Sequence, residues 1–285
     1  MIFYGTARRW YLNMRGFFRY RSKNDEYRNL NILSCSETID AVKNGKSLVR
    51  FGDGEMAVML GRSIWFQSHD EKLGKELTNI LKNDDDSILV AVPTAIINTK
   101  IYRRKSRMFW YREMLGTRSE WKKRLCKKST YGAPEVTRAR TDLKSKYQRE
   151  IFNKWHEVFN GRDIVIIEGG VTRMGVGNDL FDGAKTVRRI IAPSKNAYKK
   201  IGAIKKTFMD KKIKKDTLVL ICLGPAAKQL TVDLHKKGYQ AVDAGHLGQE
   251  YAFYCNNSYR TGEDDKRFDS ITDDKYQKQI IAEIK

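Results

Sequence analysis

Ser47-Leu48-Val49-Arg50-Phe51-Gly52-Asp53-Gly54-Glu55 runs a short apolar segment straight into a loop that carries two carboxylates between glycines. The apolar spacing of Leu48, Val49 and Phe51 favours a strand. Gly52 and Gly54 permit positive φ and close backbone approach, so Asp53 and Glu55 can be delivered to one cleft. Oxygen ligands of this kind suit a hard divalent ion that shares its coordination sphere with substrate phosphates. A solvated Gly-Asp-Gly turn is the alternative, because the same residues are common turn chemistry.

Working outward, Ser36 to Gly45 has a capping serine and a glycine stop, which predicts a short helix leading into that strand. Beyond the acidic loop, Met56 to Leu60 continues apolar, and Ile64-Trp65-Phe66-Gln67 reads as a second short strand. Glu71 to Leu81 places Leu73, Leu77, Ile80 and Leu81 on one helical face. Ser87 to Pro93, Asp163 to Glu168 and Thr217 to Leu223 are apolar runs of the kind buried on both faces of a parallel sheet, and Thr186 to Ala192 reads as another strand. Gly238 to Asp243 reads as the last strand. Helical patterns lie between these runs, including Thr141 to Phe159 and Tyr198 to Phe208, so the rhythm predicts a Rossmann-like α/β fold with a mostly parallel sheet. Thr94 to Lys128 is a helical insertion whose aromatic and basic residues either line an acceptor groove or pack on the sheet.

Three further stretches offer chemistry. The strand ending at Glu168 runs into Gly169-Gly170-Val171-Thr172-Arg173-Met174-Gly175-Val176-Gly177-Asn178-Asp179-Leu180-Phe181 and an expected helix, the place where nucleotides bind in open α/β sheets. The spacing matches neither a dinucleotide fingerprint nor a P-loop, and tight loop packing explains the glycines equally well. Gly224-Pro225 opens a helix whose free N–H groups face the same cleft. His246 and Glu250, four apart, share a helical face, and Arg138 and Arg140 are candidate phosphate contacts.

The 285 residues carry a formal net charge of +21, which favours polyanionic partners without choosing among them. Residues 1–28 interleave arginines with aromatics, and Phe3, Ala7, Trp10, Met14, Phe17 and Phe18 fall near one stripe, the pattern of an interfacial amphipathic helix. Docking of that helix on the protein's own core is the alternative. The four cysteines form no CxxC pair, and the sequence shows neither a long apolar span nor a signal peptide. A cytoplasmic location is therefore expected, with association at the inner face of the plasma membrane through residues 1–28. The expected division is a basic aromatic helix over 1–30, an α/β domain over 31–255 and a polar tail with a closing helix over 256–285.

Taken together, Arg50 to Glu55, Ile64 to Gln67, Glu168-Gly169 with Arg173 to Phe181, Ala192 to Ala197, Leu223-Gly224-Pro225, and Asp243 to His246 with Glu250-Tyr251 resemble the GT-D-type glycosyltransferases. The matching stretches run in family order over residues 36–255. The resemblance implies a nucleotide-sugar donor, with UDP, held through Mn²⁺ or Mg²⁺ and an Asp-x-Glu motif, here Asp53-Gly54-Glu55. It implies transfer to a glycan acceptor on protein, lipid or polysaccharide in bacterial glycoprotein or cell-surface polysaccharide biosynthesis. Asp53, Glu55, Glu250 and His246 are the implied catalytic residues, Asp53 and Glu55 also being the metal ligands. Arg50, Phe51, Gly52, Gly54, Arg173, Gly175, Gly177, Asn178, Asp179, Asn196 and Pro225 are the implied nucleotide-sugar contacts. Ala226 stands where the family usually has threonine, and Leu-Gly-Gln follows His246 where it tends to have an aspartate. A non-catalytic nucleic-acid-binding protein is the rival reading, motivated by the charge of +21 and the aromatic and basic segments.

Overall fold

The computed structural model describes residues 2–22, 30–125, 130–259 and 274–284. Its strands are β1 (Asn31–Ile32), β2 (Ser47–Arg50), β3 (Ile88–Ala91), β4 (Thr130–Tyr131), β5 (Asp163–Gly169), β6 (Thr186–Ala192), β7 (Leu218–Cys222), β8 (Ala241–Asp243) and β9 (Ile280–Glu283). Its α-helices are α1 (Ile2–Ser22), α2 (Cys35–Lys43), α3 (Asp53–Met59), α4 (Glu71–Leu81), α5 (Arg104–Arg124), α6 (Ala139–Asp142), α7 (Ser145–Phe159), α8 (Ile201–Asp210), α9 (Ala226–His235), α10 (Leu247–Cys255) and α11 (Asp274–Gln279). Seven strands form one parallel sheet in the order β3-β2-β8-β7-β5-β6-β9, and β1 pairs with β4 beside it. The α/β class expected from the alternating apolar runs is the class observed.

The central residues of β2, β3, β5 and β7 are apolar because helices cover both faces, and Ile164 to Ile167 and Leu218 to Ile221 are fully buried. The connections from β2 to β3, β6 to β7 and β7 to β8 all step toward the β3 edge. They carry α4, α8 and α9, which pack on one another. Chain moving the opposite way carries α7 and α10, which share α6 as a neighbour, while α2 packs on α7. Right-handed crossovers assign these two groups to opposite faces. The chains leaving β2 and β8, which are adjacent, therefore diverge to opposite sides, and the crevice between their carboxyl ends is a topological switch point.

Several expectations need correction. The cap of α2 is Ser34, not Ser36, through a capping box with Glu37. Ile64 to Gln67 is a tight turn, closed by Ile64 N–H to Gln67 O at 2.9 Å and Gln67 N–H to Ile64 O at 3.2 Å, rather than a strand. No helix follows β5: Arg173, Gly175 and Gly177 all take positive φ, which breaks helical repetition, and residues 170–184 are turns. The aromatics Tyr102, Trp110, Tyr111 and Trp121 are buried, so this side of the insertion is core and offers no groove. Residues beyond Asn256 do more than form a tail and a helix, since β9 adds a seventh strand beside β6. Tyr276 of α11 packs over Arg189 to anchor it. Part of the N-terminal segment, 23–29, and part of the tail, 260–273, lie outside the described residues.

Candidate active site

The last residue of β2 and the last residue of β8 meet in the crevice. Arg50 donates from its backbone N–H to Asp243 Oδ2 at 3.2 Å, from Nη2 to Asp243 Oδ1 at 3.2 Å, and from Nε to the Asp243 carbonyl at 2.7 Å. Its Nη1 reaches the Pro134 carbonyl at 3.2 Å. The guanidinium lies across Gly245, where φ is +48° and any Cβ would collide with it, so this glycine is required twice over.

Lys228 of α9 enters the same cluster from the β7 side. Its Nζ lies 2.6 Å from Glu55 Oε1 and 3.0 Å from Asp243 Oδ2, and it donates to the Gly224 carbonyl at 3.2 Å. The residue is only 3% exposed. Burial alone would raise the Asp243 pKa, but Arg50 and Lys228 outweigh it and hold the carboxyl below its ordinary range. Glu55 is doubly committed, because its Oε2 accepts the Gly52 N–H at 2.9 Å as the N3 member of the α3 capping arrangement.

Asp53 differs from its neighbour. Its side chain is solvent-exposed, and among the described residues no other residue hydrogen-bonds its carboxylate. The surrounding protein mass, then the charge of Glu55, push its pKa up, while Arg138 pulls it down. Arg138 donates from Nε to Asp142 Oδ2 at 2.8 Å, and among the described residues its Nη groups make no hydrogen bond. Burial works against this cation, yet Asp142, Glu250 and Asp53 outweigh the cost and hold its pKa above the ordinary value. Glu113 of α5 also feels Asp53: burial first, then that charge, raise its carboxyl.

Glu250 is buried, its Oε2 accepting the Thr141 N–H at 2.7 Å and its Oε1 the Thr141 hydroxyl at 2.5 Å. Burial raises its pKa. Glu250 N–H donates to the His246 carbonyl at 2.9 Å, so the expected four-residue helical spacing holds, with His246 half-buried as the N-cap of α10.

The remaining expected contacts are placed as follows. Phe51 and Pro225 are buried, and Arg140 is spent on Ser258, Gln148 and Asn257 rather than facing a phosphate. Gly175 makes room for the Phe181 ring. Asn178 turns back on the loop, accepting the Leu180 N–H at 3.1 Å, and Asp179 accepts the Tyr251 hydroxyl at 2.8 Å. Arg173 lies 5.6 Å from the Tyr276 ring, and Gly177 is exposed at the loop tip. Asn196 braces the 64–67 turn, accepting the Ser68 N–H at 2.7 Å and donating its own to the Phe66 carbonyl at 2.9 Å. Gly52 and Gly54 flank Asp53 at the start of α3, with Gly54 against Ile64. The structure thus gathers Arg50, Asp53, Glu55, His246 and Glu250 around the switch point, while the glycine loop after β5 is tied to α10 from its far side.

A family model described as the glycosyltransferase GT-D fold matches residues 48–267. The chain belongs to this family. It is 34% identical over 232 residues to a probable glycosyl transferase Gly of Streptococcus gordonii, covering 80% of this chain and 34% of that protein. It is 31% identical over 268 residues to glycosyltransferase GlyD of Streptococcus pneumoniae serotype 4, covering 90% and 33%. The GT-D chain therefore spans about a third of the length of these curated relatives. A solved structure of the highly conserved domain of unknown function 1792, described as a distinct glycosyltransferase fold, aligns with a TM-score of 0.83 at 34% identity over 96% of this chain and 100% of its own. A glycosyltransferase of the same domain type from Streptococcus sanguinis aligns with a TM-score of 0.82 at 33% identity over 90% and 100%.

Lys228 and Asp243 complete the charged cluster in the crevice, and sequence reasoning left both without a role. The sequence carried little signal for Lys228, which is followed by Gln229 in the first turn of α9 and reads there as a surface cation. As for a metal, the donor set suits a hard ion held by one protein carboxylate, Asp53, with substrate phosphates completing the shell. Glu55 is engaged by Lys228, and among the described residues no cluster of three potential ligands forms a protein-only cage.

Proposed function

We propose that this GT-D chain is a metal-dependent glycosyltransferase that binds a UDP-sugar at the β2/β8 switch point and passes the sugar to a glycan acceptor. The reading rests on one observation: at that crevice an uncommitted carboxylate, Asp53, faces a guanidinium, Arg138, with free Nη groups. Beside them Lys228 is paired with both Glu55 and Asp243, and Arg50 with Asp243. A diphosphate with its counter-ion is complementary to such a pair.

Breaking the anomeric C–O bond leaves growing negative charge on the diphosphate. Mn²⁺ or Mg²⁺ bound at Asp53 supplies Lewis-acid stabilisation of that charge. Arg138 supplies two parallel N–H donors to the same oxygens. Glu55, fixed by Lys228 and the Gly52 N–H, sets the start of α3 and thereby aims Asp53. Glu250 sits too deep to meet an acceptor, so it positions Arg138 and the Thr141 segment. Acid/base work then falls to His246 at the mouth of α10, whose side-chain type titrates in the neutral range. The +21 charge serves anionic donors and acceptors without requiring nucleic acid. Bacterial glycoprotein or cell-surface polysaccharide assembly is the setting we assign.

The test is a panel of nucleotide sugars with Mn²⁺ or Mg²⁺, scoring release of nucleotide. UDP-sugar turnover is expected, lost in Asp53→Asn with the melting temperature retained. Metal-dependent turnover by Asp53→Asn at the unmodified rate would overturn the assignment.

A further inference from the structure

The cleft makes no use of α1, whose rotation is fixed by its contact with α5. Gly16 lies against the Tyr111 backbone so closely that no Cβ fits, Phe17 meets the Tyr111 ring edge-on at 5.5 Å, and Asn13 Oδ1 accepts Arg112 Nη1 at 2.6 Å. The stripe expected from sequence is therefore split: Phe17 turns inward, while Trp10 and Phe18 turn out, joined by Tyr11. These three are 67%, 62% and 58% exposed. At 3.6 residues per turn they fill an arc of about 100°, with exposed Arg8 and Arg15 along one border. Three large aromatics on a single outward face of one helix make a patch rather than a scatter.

Charge decides among occupants. A second copy of this chain would bring another +21 protein, with its own Arg8 and Arg15, onto the patch. Duplex nucleic acid would satisfy the arginines and leave the aromatics in water, and a single strand would need its bases splayed one by one onto a convex helix face rather than along a groove. An anionic bilayer satisfies both, because Trp, Tyr and Phe settle at the headgroup level while arginine reaches lipid phosphate. No helix among the described residues is long and apolar enough to cross a membrane, so this helix would lie in the surface plane. We propose that the outer face of α1, through Trp10, Tyr11 and Phe18 with Arg8 and Arg15, docks the protein on an anionic lipid surface.

The test is co-sedimentation of the full chain with vesicles of phosphatidylglycerol and phosphatidylcholine, against vesicles of phosphatidylcholine alone. Binding to the anionic vesicles is expected, reduced about tenfold or more by Trp10→Ala/Tyr11→Ala/Phe18→Ala. Each of Arg8→Glu and Arg15→Glu should weaken it at least about fivefold. Unchanged melting temperatures keep misfolding apart from loss of docking. Equal binding to the two vesicle types, or by the triple variant and the unmodified chain, would overturn the proposal. A solution dimer that the triple variant dissociates would assign the face to a second copy instead. Arginine-dependent RNA binding that ignores the triple variant would assign it to nucleic acid.

Discussion

Lys228→Met should destabilise the protein and disorder the acidic loop. The methionine keeps the stem volume but removes the charge that lies 2.6 Å from Glu55 and 3.0 Å from Asp243. Losing one partner of a buried ion pair costs about 3–5 kcal/mol, because the remaining charge stays buried without compensation. Arg50 still holds both Asp243 oxygens, which places the expected loss at the lower end, about 3 kcal/mol. For a domain of this size that corresponds to a fall of roughly 6–12 °C in melting temperature, read by a thermal melt at pH 7. Glu55→Gln in the Lys228→Met background should cost less than the two changes summed, with a coupling on the order of 1–3 kcal/mol. The pH dependence has a definite sign. Asp243 has a depressed pKa in the folded state, so its pairing stabilises above the unfolded-state value and is lost as pH falls through the folded one. Without Lys228 that loss should begin at higher pH. A melting temperature within about 2 °C of the unmodified chain, together with additive double-variant energies, would refute the reasoning. Glu55 would then be as free as Asp53.

Two arginines that sequence reasoning treated alike should separate. Arg138→Ala should weaken UDP binding about tenfold to a hundredfold by calorimetry, the worth of charged hydrogen bonds, with a small change in melting temperature. Arg140→Ala should do the opposite, since its three hydrogen bonds to Ser258, Gln148 and Asn257 tie the end of α10 to α7. Glu135, buried beside Tyr102 with one oxygen lacking a partner, is pushed up to about 7 by burial. A raised carboxyl favours the folded state at low pH and withdraws that support as pH rises from about 4.5 to about 7. Over this range it contributes a loss on the order of 3 kcal/mol. Glu135→Gln should flatten this slope in melts taken across pH 4 to 8.

Continuous apolar runs announced the sheet because a parallel strand buried on both faces leaves no room for polar alternation. β5 and β7 show this directly. What misled was chemistry whose outcome depends on tertiary neighbours. Ile64 to Gln67 has strand-forming residues, but Phe66 is drawn over Gly224 and Asn196 clamps the turn, so no pairing partner lies alongside. The glycine loop after β5 has the composition of a phosphate cradle, yet its glycines accommodate Phe181 and positive φ, and the buried Glu168–Arg189 pair at 2.5 Å holds its base. β9 escaped notice because only Ile280 and Ile281 mark it within a polar tail, and an edge strand buries less. Residue type located the carboxylates; only geometry could say which of them is spoken for.

The charged groups at the carboxyl edge share one logic. Arg50, Asp243, Lys228 and Glu55 join the loops that follow β2, β7 and β8. Glu168 and Arg189 join β5 to β6 and bind both the N–H and the carbonyl of Met174. Arg138, Asp142, Thr141 and Glu250 join the α6 segment to α10. Buried ion pairs contribute little net stability compared with apolar side chains of equal volume, so the first two of these assemblies are poorly explained as fold stabilisers. Their value is directional: each fixes a loop by hydrogen bonds of set geometry where apolar contacts would let it slide. Within that rigid frame Asp53 and the Nη groups of Arg138 make no hydrogen bond to another of the described residues, and on that ground we propose that the site takes an anion together with its counter-ion.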